Sequence, residues 1–296
     1  MPSIALATYA ALPALAPDEH PLVAELAAIG IRATPAVWDD PAVAWGDFDG
    51  VVIRSCWDYH LRVDEFFAWI DRVAALGARV WNPPRMLRWN SRKTYLHDLA
   101  AGGIRTVPTL WLAGDGARRS TLSLEKILDD TGWHHAVVKP VVSASAHETW
   151  RLSRDDARVN RAIHDARLKT LVAGHGAMVQ PFVPEIATDG EWSLLFFGGE
   201  FSHVVQKRAA HGDFRVQREF GGTFETMSRP TPRVLDQAER ALRAAPGNSL
   251  YARVDGVIID GDFVVTELEL LEPSLFLDGD PAAPGRFAAA IAAALR

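Results

Sequence analysis

Apolar positions along the chain repeat with two periods, and the points where one gives way to the other outline its elements. Ile4 to Tyr9 is a short apolar run with the pattern of a buried strand, and after Pro17-Asp18-Glu19 an Ala/Leu-rich segment ending near Gly30 has helical spacing. Asp49 to Arg54 predicts another strand, and Val63 to Leu76, closed by Gly77, another helix. Strand and helix thus alternate as far as Asn82-Pro83-Pro84, which predicts a small parallel α/β domain over residues 1–85.

Ser91 to Ala101 returns to helical spacing before Gly102-Gly103, and Val107-Pro108-Thr109 opens a strand. A helix over Ser123 to Asp130 and strands over Ala136 to Lys139 and Glu148 to Leu152 predict a compact α+β lid across 105–179. From Met178 the pattern is strand-rich: MVQPFV, then EWSLLFF and EFSHVVQK around a Gly198-Gly199 turn, with helices over Pro232 to Ala245 and Pro284 to Arg296. Residues 86–104 and 180–296 are therefore expected to form one C-terminal domain into which the lid is inserted.

Tyr251 to Ser274 changes the picture from fold to chemistry. Val254 to Ile259 and Phe263 to Leu270 flank the turn signal Asp260-Gly261-Asp262, giving a hairpin that carries acids among core residues. Glu267 and Glu269 are two apart and share one face of a strand, and Asp255 on the partner strand can join them. Three converging carboxylates call for a cation, and hard oxygen ligands favour Mg²⁺, with Mn²⁺ as the alternative, bridging a substrate phosphate. The same alternation also fits a solvated sheet face with no ligand.

Composition narrows the classes. The 296 residues carry a formal net charge of −6, with 48% hydrophobic and 23% charged residues, which argues against a nucleic-acid surface. No basic start with a long apolar region and no run of membrane-spanning length is seen, and a single cysteine, Cys56, fits a reducing cytoplasm. The expected partners are a small amino-acid-like substrate and at most a second copy of the chain in a homodimer, with neither nucleic acid nor membrane.

Lys139 ends the apolar strand AVVKP and precedes VSASAH, whose Ser143 and Ser145 lie in a small-residue loop able to close over a phosphate. Neither a G-x-x-x-x-G-K-[ST] loop nor a G-x-G-x-x-G turn is present. The ordered set NPPRMLRWNSRKTYL, GIRTVPT, VVKP, VQPFVPEI, GEWSLLFF, SHVVQK, GDFRVQREFGG and YARVD…VTELELLEPS resembles the ATP-grasp superfamily, nearest its glutathione-synthetase-like and RimK-like branch. The likeness spans roughly residues 80 to 280.

The resemblance implies a mixed α/β ATP-grasp fold, with a lid and a mostly antiparallel C-terminal sheet. It implies ATP held at its phosphates by Lys93 and Lys139, with Ser143 and Ser145 in the covering loop. Adenine would lie on the backbone of Gln180, Pro181, Phe182 and Val183, with Glu185 or Glu191 as the ribose acid. Asp255, Glu267 and Glu269 match the metal positions, the last of which is an asparagine in several relatives. Arg215 and the Gly221-Gly222 pair resemble the station that positions acyl phosphate and acceptor.

The chemistry so implied is activation of a carboxylate as an acyl phosphate for attack by an amine. RSxWDYH, WNP…WNxxKxYL and RVD…ELELxEPSLF, which ends on Ser274 and its neighbours, look most like the small cyclo-ligases of antibiotic pathways that close O-ureido-D-serine into D-cycloserine. An intermolecular amide ligase and a non-catalytic ATP sensor are the alternatives.

Other residues have two readings on sequence alone. Lys207 alternates with apolar neighbours and either reaches the phosphates or faces outward, while Arg253 shares a face with Asp255 and touches phosphate or pairs with the acids. Arg54, Trp57, Asp58 and Tyr59 follow a strand of the first domain, where open α/β sheets bind ligands, and are the expected substrate contacts; a loop with packed aromatics is the other reading. Cys56 with His60 invites a thiol-nucleophile reading that lacks a demonstrated partner. His203 and His211 are not at metal-ligand spacing and point to structural or substrate-contact roles.

Overall fold

The computed structural model of the chain describes residues 1–113, 123–210, 212–213, 215–216 and 220–296. Its N-terminal part comprises β1 (Ser3–Thr8), α1 (His20–Ala28), β2 (Arg32–Val37), β3 (Gly50–Ser55), α2 (Val63–Ala75) and β4 (Arg79–Trp81). The four strands form a sheet in the order β2-β1-β3-β4, with every pairing parallel. The central β1 and β3 are buried along their whole length, which accounts for their unbroken apolar runs. β2 and β4 were not expected from the sequence. β2 alternates in exposure and holds Pro35 at the sheet edge, where a missing N–H is tolerated, and β4 is three residues long.

α3 (Pro84–Asn90) and α4 (Tyr95–Ala101) follow, so the single helix expected over Ser91 to Ala101 starts later and is preceded by a separate turn of helix. Next come β5 (Leu110–Leu112), α5 (Leu124–Thr131), β6 (His135–Pro140), β7 (Trp150–Ser153), α6 (Arg154–Val159), α7 (Arg161–Ala173) and β8 (Ala177–Pro181). The strands form an antiparallel sheet in the order β5-β8-β6-β7. α6 and α7 escape the sequence pattern because the inward face of α7 mixes His164 and Asp165 with Leu168, Leu171 and Val172. Among the described residues, the main apolar cluster under this sheet is built from residues between Leu112 and Val179, while Trp111 and Met178 pack into the core under the C-terminal sheet.

The remainder is α8 (Pro184–Thr188), β9 (Glu191–Phe197), β10 (Glu200–Arg208), β11 (Thr223–Thr226), α9 (Pro232–Arg243), β12 (Tyr251–Ile259), β13 (Asp262–Glu269) and α10 (Ala283–Leu295). Its strands form a second antiparallel sheet, β11-β10-β9-β12-β13. Period-two alternation divides this sheet: Leu194, Phe196, Val204, Ala252, Val254 and Leu268 pack with α4 and α9. On the other face, Leu195, Phe197 and Tyr251 share a core with Ile4 and Leu6 of the N-terminal sheet, Leu22 of α1 and Phe287 of α10. Among the described residues no helix is long and apolar enough to cross a membrane.

Candidate active site

The face of the C-terminal sheet that becomes apolar toward Phe197 and Tyr251 is charged at its other end. Register places Lys207 of β10 opposite Glu191 of β9, Ser193 opposite Asp255 of β12, and Asp255 and Arg253 opposite Glu267 and Glu269 of β13. Neighbours across antiparallel strands point the same way, so these side chains gather over one patch. A bulge between Asp255 and Gly256 re-aims the strand directly after the acid. Gly256 is obligatory there: a Cβ would lie 2.5 Å from the Phe263 ring and 2.7 Å from the Val264 carbonyl oxygen.

This patch floors a cavity of about 580 Å³, a volume suited to a small ligand. The walls come from each part of the fold. Trp57 and Tyr59 lie beyond the carboxyl end of β3; Lys93, Lys139, Ser143, Ser145 and the Gln180–Val183 segment approach from the second sheet and its junction; Arg215, Ser274 and Phe276 complete the rim. The 143–149 loop docks on the N-terminal part, with the His147 ring 5.0 Å from that of His60 and Ala144 packed against the core beneath. Ser145, Ala146 and Glu148 hold positive φ in this loop, a conformation that costs non-glycine residues energy and is found where function fixes a backbone.

Oxygens of Asp255, Glu267 and Glu269 all lie within 4.8 Å of one another. At an effective dielectric of 20, two unit charges at that separation repel by about 3 kcal/mol, so three bare carboxylates cannot all stay ionised without compensation. Cations supply part of it. Asp255 accepts from Arg253 Nε at 2.9 Å, Lys207 Nζ at 3.0 Å and Ser193 Oγ at 2.6 Å; burial opposes its ionisation, yet Arg253 and Lys207 hold it well below the usual carboxylate range. Glu267 pairs with Lys93, and Lys93 with Lys139 outweighs burial to depress its pKa. Glu269 pairs with Arg253 yet is pushed up to about 8, by burial first and then by Glu267 and Asp255. An all-oxygen cluster whose third member is held above the usual carboxylate range by burial and its acidic neighbours fits a hard divalent cation.

Lys139 has no ion-pair partner among the described residues, and burial, reinforced by Lys93, lowers its pKa. An ammonium facing a cavity under these conditions is suited to an incoming anion. Glu191 lines the cavity, accepting from Lys207 at 2.8 Å and Thr266 at 2.6 Å, whereas Glu185 lies on a separate groove with Val183 and Pro184. Gln180 donates to the Thr109 hydroxyl at 2.9 Å, and the Phe182 ring is covered by the Arg151 guanidinium.

Lys207 and Arg253 thus face inward, resolving the alternatives left by their alternation. Arg215 lines the cavity, with its guanidinium 2.8 Å from Asp213 and 3.6 Å from the centre of the Phe220 ring. Several expected substrate contacts need correction. Arg54 is 1% exposed and is consumed by Glu19 at 2.7 Å and the Pro273 carbonyl at 2.7 Å, so it ties two chain segments together instead of facing the cavity. Asp58 accepts from Trp38 at 2.9 Å and Arg62 at 2.7 Å and is likewise turned away. Gly221 and Gly222 do not line the cavity, although Thr223 and Phe224 beside them do.

Cys56 is buried and burial pushes its thiol up, which removes the nucleophile reading. His203 is buried with Nε2 3.1 Å from the carbonyl oxygens of both Leu275 and Phe276, a structural placement; His211 lies outside the described residues.

Three side chains at the site were not anticipated. Ser193 and Thr266 hold Asp255 and Glu191, and only the cross-strand register reveals them. Glu272, 8% exposed, lines the cavity beyond β13 with its pKa raised to about 7, mainly by burial. Its signal was its place in the acidic run ELELLEP.

An antiparallel sheet bearing paired acids, an inserted sheet bearing Lys139, Lys93 at their junction and a cavity between them define an ATP-grasp ligase. Two solved structures share this fold over nearly their whole length: a D-alanine–D-alanine ligase from Bacillus anthracis (TM-score 0.70, 15% identity, covering 100% of this chain and 97% of that one) and a RimK domain ATP-grasp protein from Sphaerobacter thermophilus (TM-score 0.70, 19% identity, 98% of each). Residues 4–82 match the family described as D-cycloserine synthetase DcsG, N-terminal domain. The chain is 32% identical over 292 residues to the cycloserine biosynthesis protein DcsG of Streptomyces lavendulae, covering 94% of both, and superposes on the crystal structure of D-cycloserine synthetase DcsG with a TM-score of 0.88 at 30% identity over 99% of this chain and all of that one. The chain belongs to the D-cycloserine synthetase family and is an ATP-dependent ligase.

Proposed function

We propose that this ligase activates the carboxylate of O-ureido-D-serine with ATP and closes the ring of D-cycloserine. The observation that carries this reading is the convergence of Asp255, Glu267 and Glu269 with Lys93 and Lys139 on a single cavity, in a chain related along 94% of its length to a cycloserine biosynthesis protein. The carboxylate oxygen attacks the γ-phosphorus, the bond to the bridging oxygen breaks and ADP leaves. The nitrogen attached to the substrate's side-chain oxygen then forms a bond to the acyl carbon as inorganic phosphate departs. Hydrolysis of the bond between that nitrogen and its carbamoyl group consumes one water, returns N–H to the ring and releases carbon dioxide and ammonia.

Asp255, Glu267 and Glu269 would hold Mg²⁺, which supplies charge neutralisation at the phosphates when bound. Lys93 and Lys139 offset phosphate charge, the Gln180–Val183 backbone receives adenine and Glu191, the acid that lines the cavity, takes the ribose. Lys207 and Arg253 keep Asp255 ionised and aimed, and Arg215 at the rim faces the transferring phosphoryl group. We further infer that residues 105–179 act as a lid, with 143–149 as the part that excludes water from the acyl phosphate.

The test is an assay of the purified protein with ATP, Mg²⁺ and candidate substrates. ADP, phosphate and D-cycloserine formed from O-ureido-D-serine alone support ring closure. An absolute need for a second amino acid would replace it with an intermolecular ligase, and ATP binding with no substrate-stimulated ADP release would replace it with a nucleotide sensor.

A further inference from the structure

Six acidic side chains line the cavity; Asp18 has interactions of its own, and four others are in ion pairs: Asp255 with Lys207 and Arg253, Glu267 with Lys93, Glu269 with Arg253, and Glu191 with Lys207. The sixth, Glu272, has no ion-pair partner among the described residues and accepts a hydrogen bond from its own backbone N–H. Glu272 lies outside the metal cluster, and its carbonyl accepts from Trp57 Nε1 at 3.1 Å, which fixes the start of its loop against the N-terminal part. A carboxylate more than nine-tenths buried, on which Lys93 and Arg253 act only from beyond ion-pair distance, is costly to keep ionised.

We propose that Glu272 is the counter-ion for the α-ammonium of the substrate. This rests on the reading of the substrate as an α-amino acid. An amino acid whose carboxylate is to be phosphorylated enters with that carboxylate toward the metal cluster and lysines, so its ammonium needs an anion a few ångströms away that no protein cation has already taken. Glu272 meets that requirement: it lines the same cavity three residues beyond Glu269, and Trp57 and Tyr59 line the wall with it.

The experiment is calorimetric binding in the presence of Mg²⁺ and a non-hydrolysable ATP analogue. O-ureido-D-serine, D-serine and D-alanine are each compared with the counterpart carrying hydroxyl in place of the amino group, in wild type and in Glu272→Gln. Wild type is expected to favour the amines by about 10- to 100-fold, as for a charged hydrogen bond in a dry site, and Glu272→Gln to level that preference while ATP-analogue affinity stays within about twofold. A preference that survives in Glu272→Gln overturns the assignment, as does a parallel loss of nucleotide affinity, which would place Glu272 with the metal ligands. If D-serine or D-alanine shows the Glu272-dependent preference and O-ureido-D-serine does not bind, the ring-closure reading falls and the role of Glu272 stands. If no amine in the panel binds, both fall.

Discussion

Lys207 Nζ lies 3.0 Å from Asp255 Oδ2, and both side chains are closed to bulk solvent. The same ammonium is 2.8 Å from Glu191, so one lysine neutralises two acids that sit opposite and diagonal to it in the sheet. Lys207→Met leaves those acids short of charge in a buried setting and is expected to cost about 3 to 5 kcal/mol of stability. Added Mg²⁺ with ADP should restore part of it. Urea denaturation with and without those ligands measures both, and a variant as stable as wild type would show that the pair does not hold the strand ends.

Glu267 and Glu269 separate in their predicted effects on folding while agreeing on turnover. Burial and its acidic neighbours push Glu269 up to about 8 despite Arg253, so Glu269→Gln should cost little stability. Glu267→Gln strips Lys93 of its partner and should be the less stable of the two. Both remove a charge from the cation cluster, and steady-state ADP release should fall by several orders of magnitude in each. Near-normal turnover in the pair would exclude the cluster as a metal site.

Lys139→Ala removes a cation that has no ion-pair partner among the described residues, so the folded protein loses little and the nucleotide loses a direct contact. A charged hydrogen bond to phosphate is worth about 1.5–3 kcal/mol, which sets the expected loss of ATP affinity at roughly tenfold or more. Calorimetry with an ATP analogue reads it. Unchanged affinity would remove Lys139 from the phosphate site.

Stability should fall as the solution is acidified through the imidazole range. Burial lowers the pKa of both His60 and His203, with the His147 ring also facing His60 and two carbonyl oxygens holding His203. The unfolded chain therefore binds their protons first, so this contribution is complete above about pH 6.5 and is lost as pH falls from there through the lower folded values. His203→Gln should flatten the decline in melting temperature between pH 7 and 5. An equally steep decline in the variant would assign the acid sensitivity elsewhere.

The acidic hairpin was legible because its message is local: a period of two, a turn and three acids suffice to pair Asp255 with Glu267 and Glu269. Arg54 misled because an arginine after a strand of a parallel sheet reads as a ligand contact, and nothing nearby in sequence announces that Glu19 and the Pro273 carbonyl, 219 residues away, consume it. Asn82 and Asn90 show the same blindness. Asn82 reads as punctuation before Pro83-Pro84 and Asn90 carries no signal of its own, yet Asn82 accepts from Leu250 N and donates to the carbonyls of Tyr251 and Leu270, and Asn90 bonds both Leu268 and Leu270. Two asparagines thereby clamp the strands bearing the acids, through contacts that only the tertiary fold creates.

Most of the apolar interior beneath the sheet that carries Lys139 is its own, yet Met178 and Trp111 of that sheet reach into the core under the C-terminal sheet. Two side chains thereby hold the lysine-bearing layer to the acid-bearing one, and parting the layers would wet them while leaving the larger cluster covered.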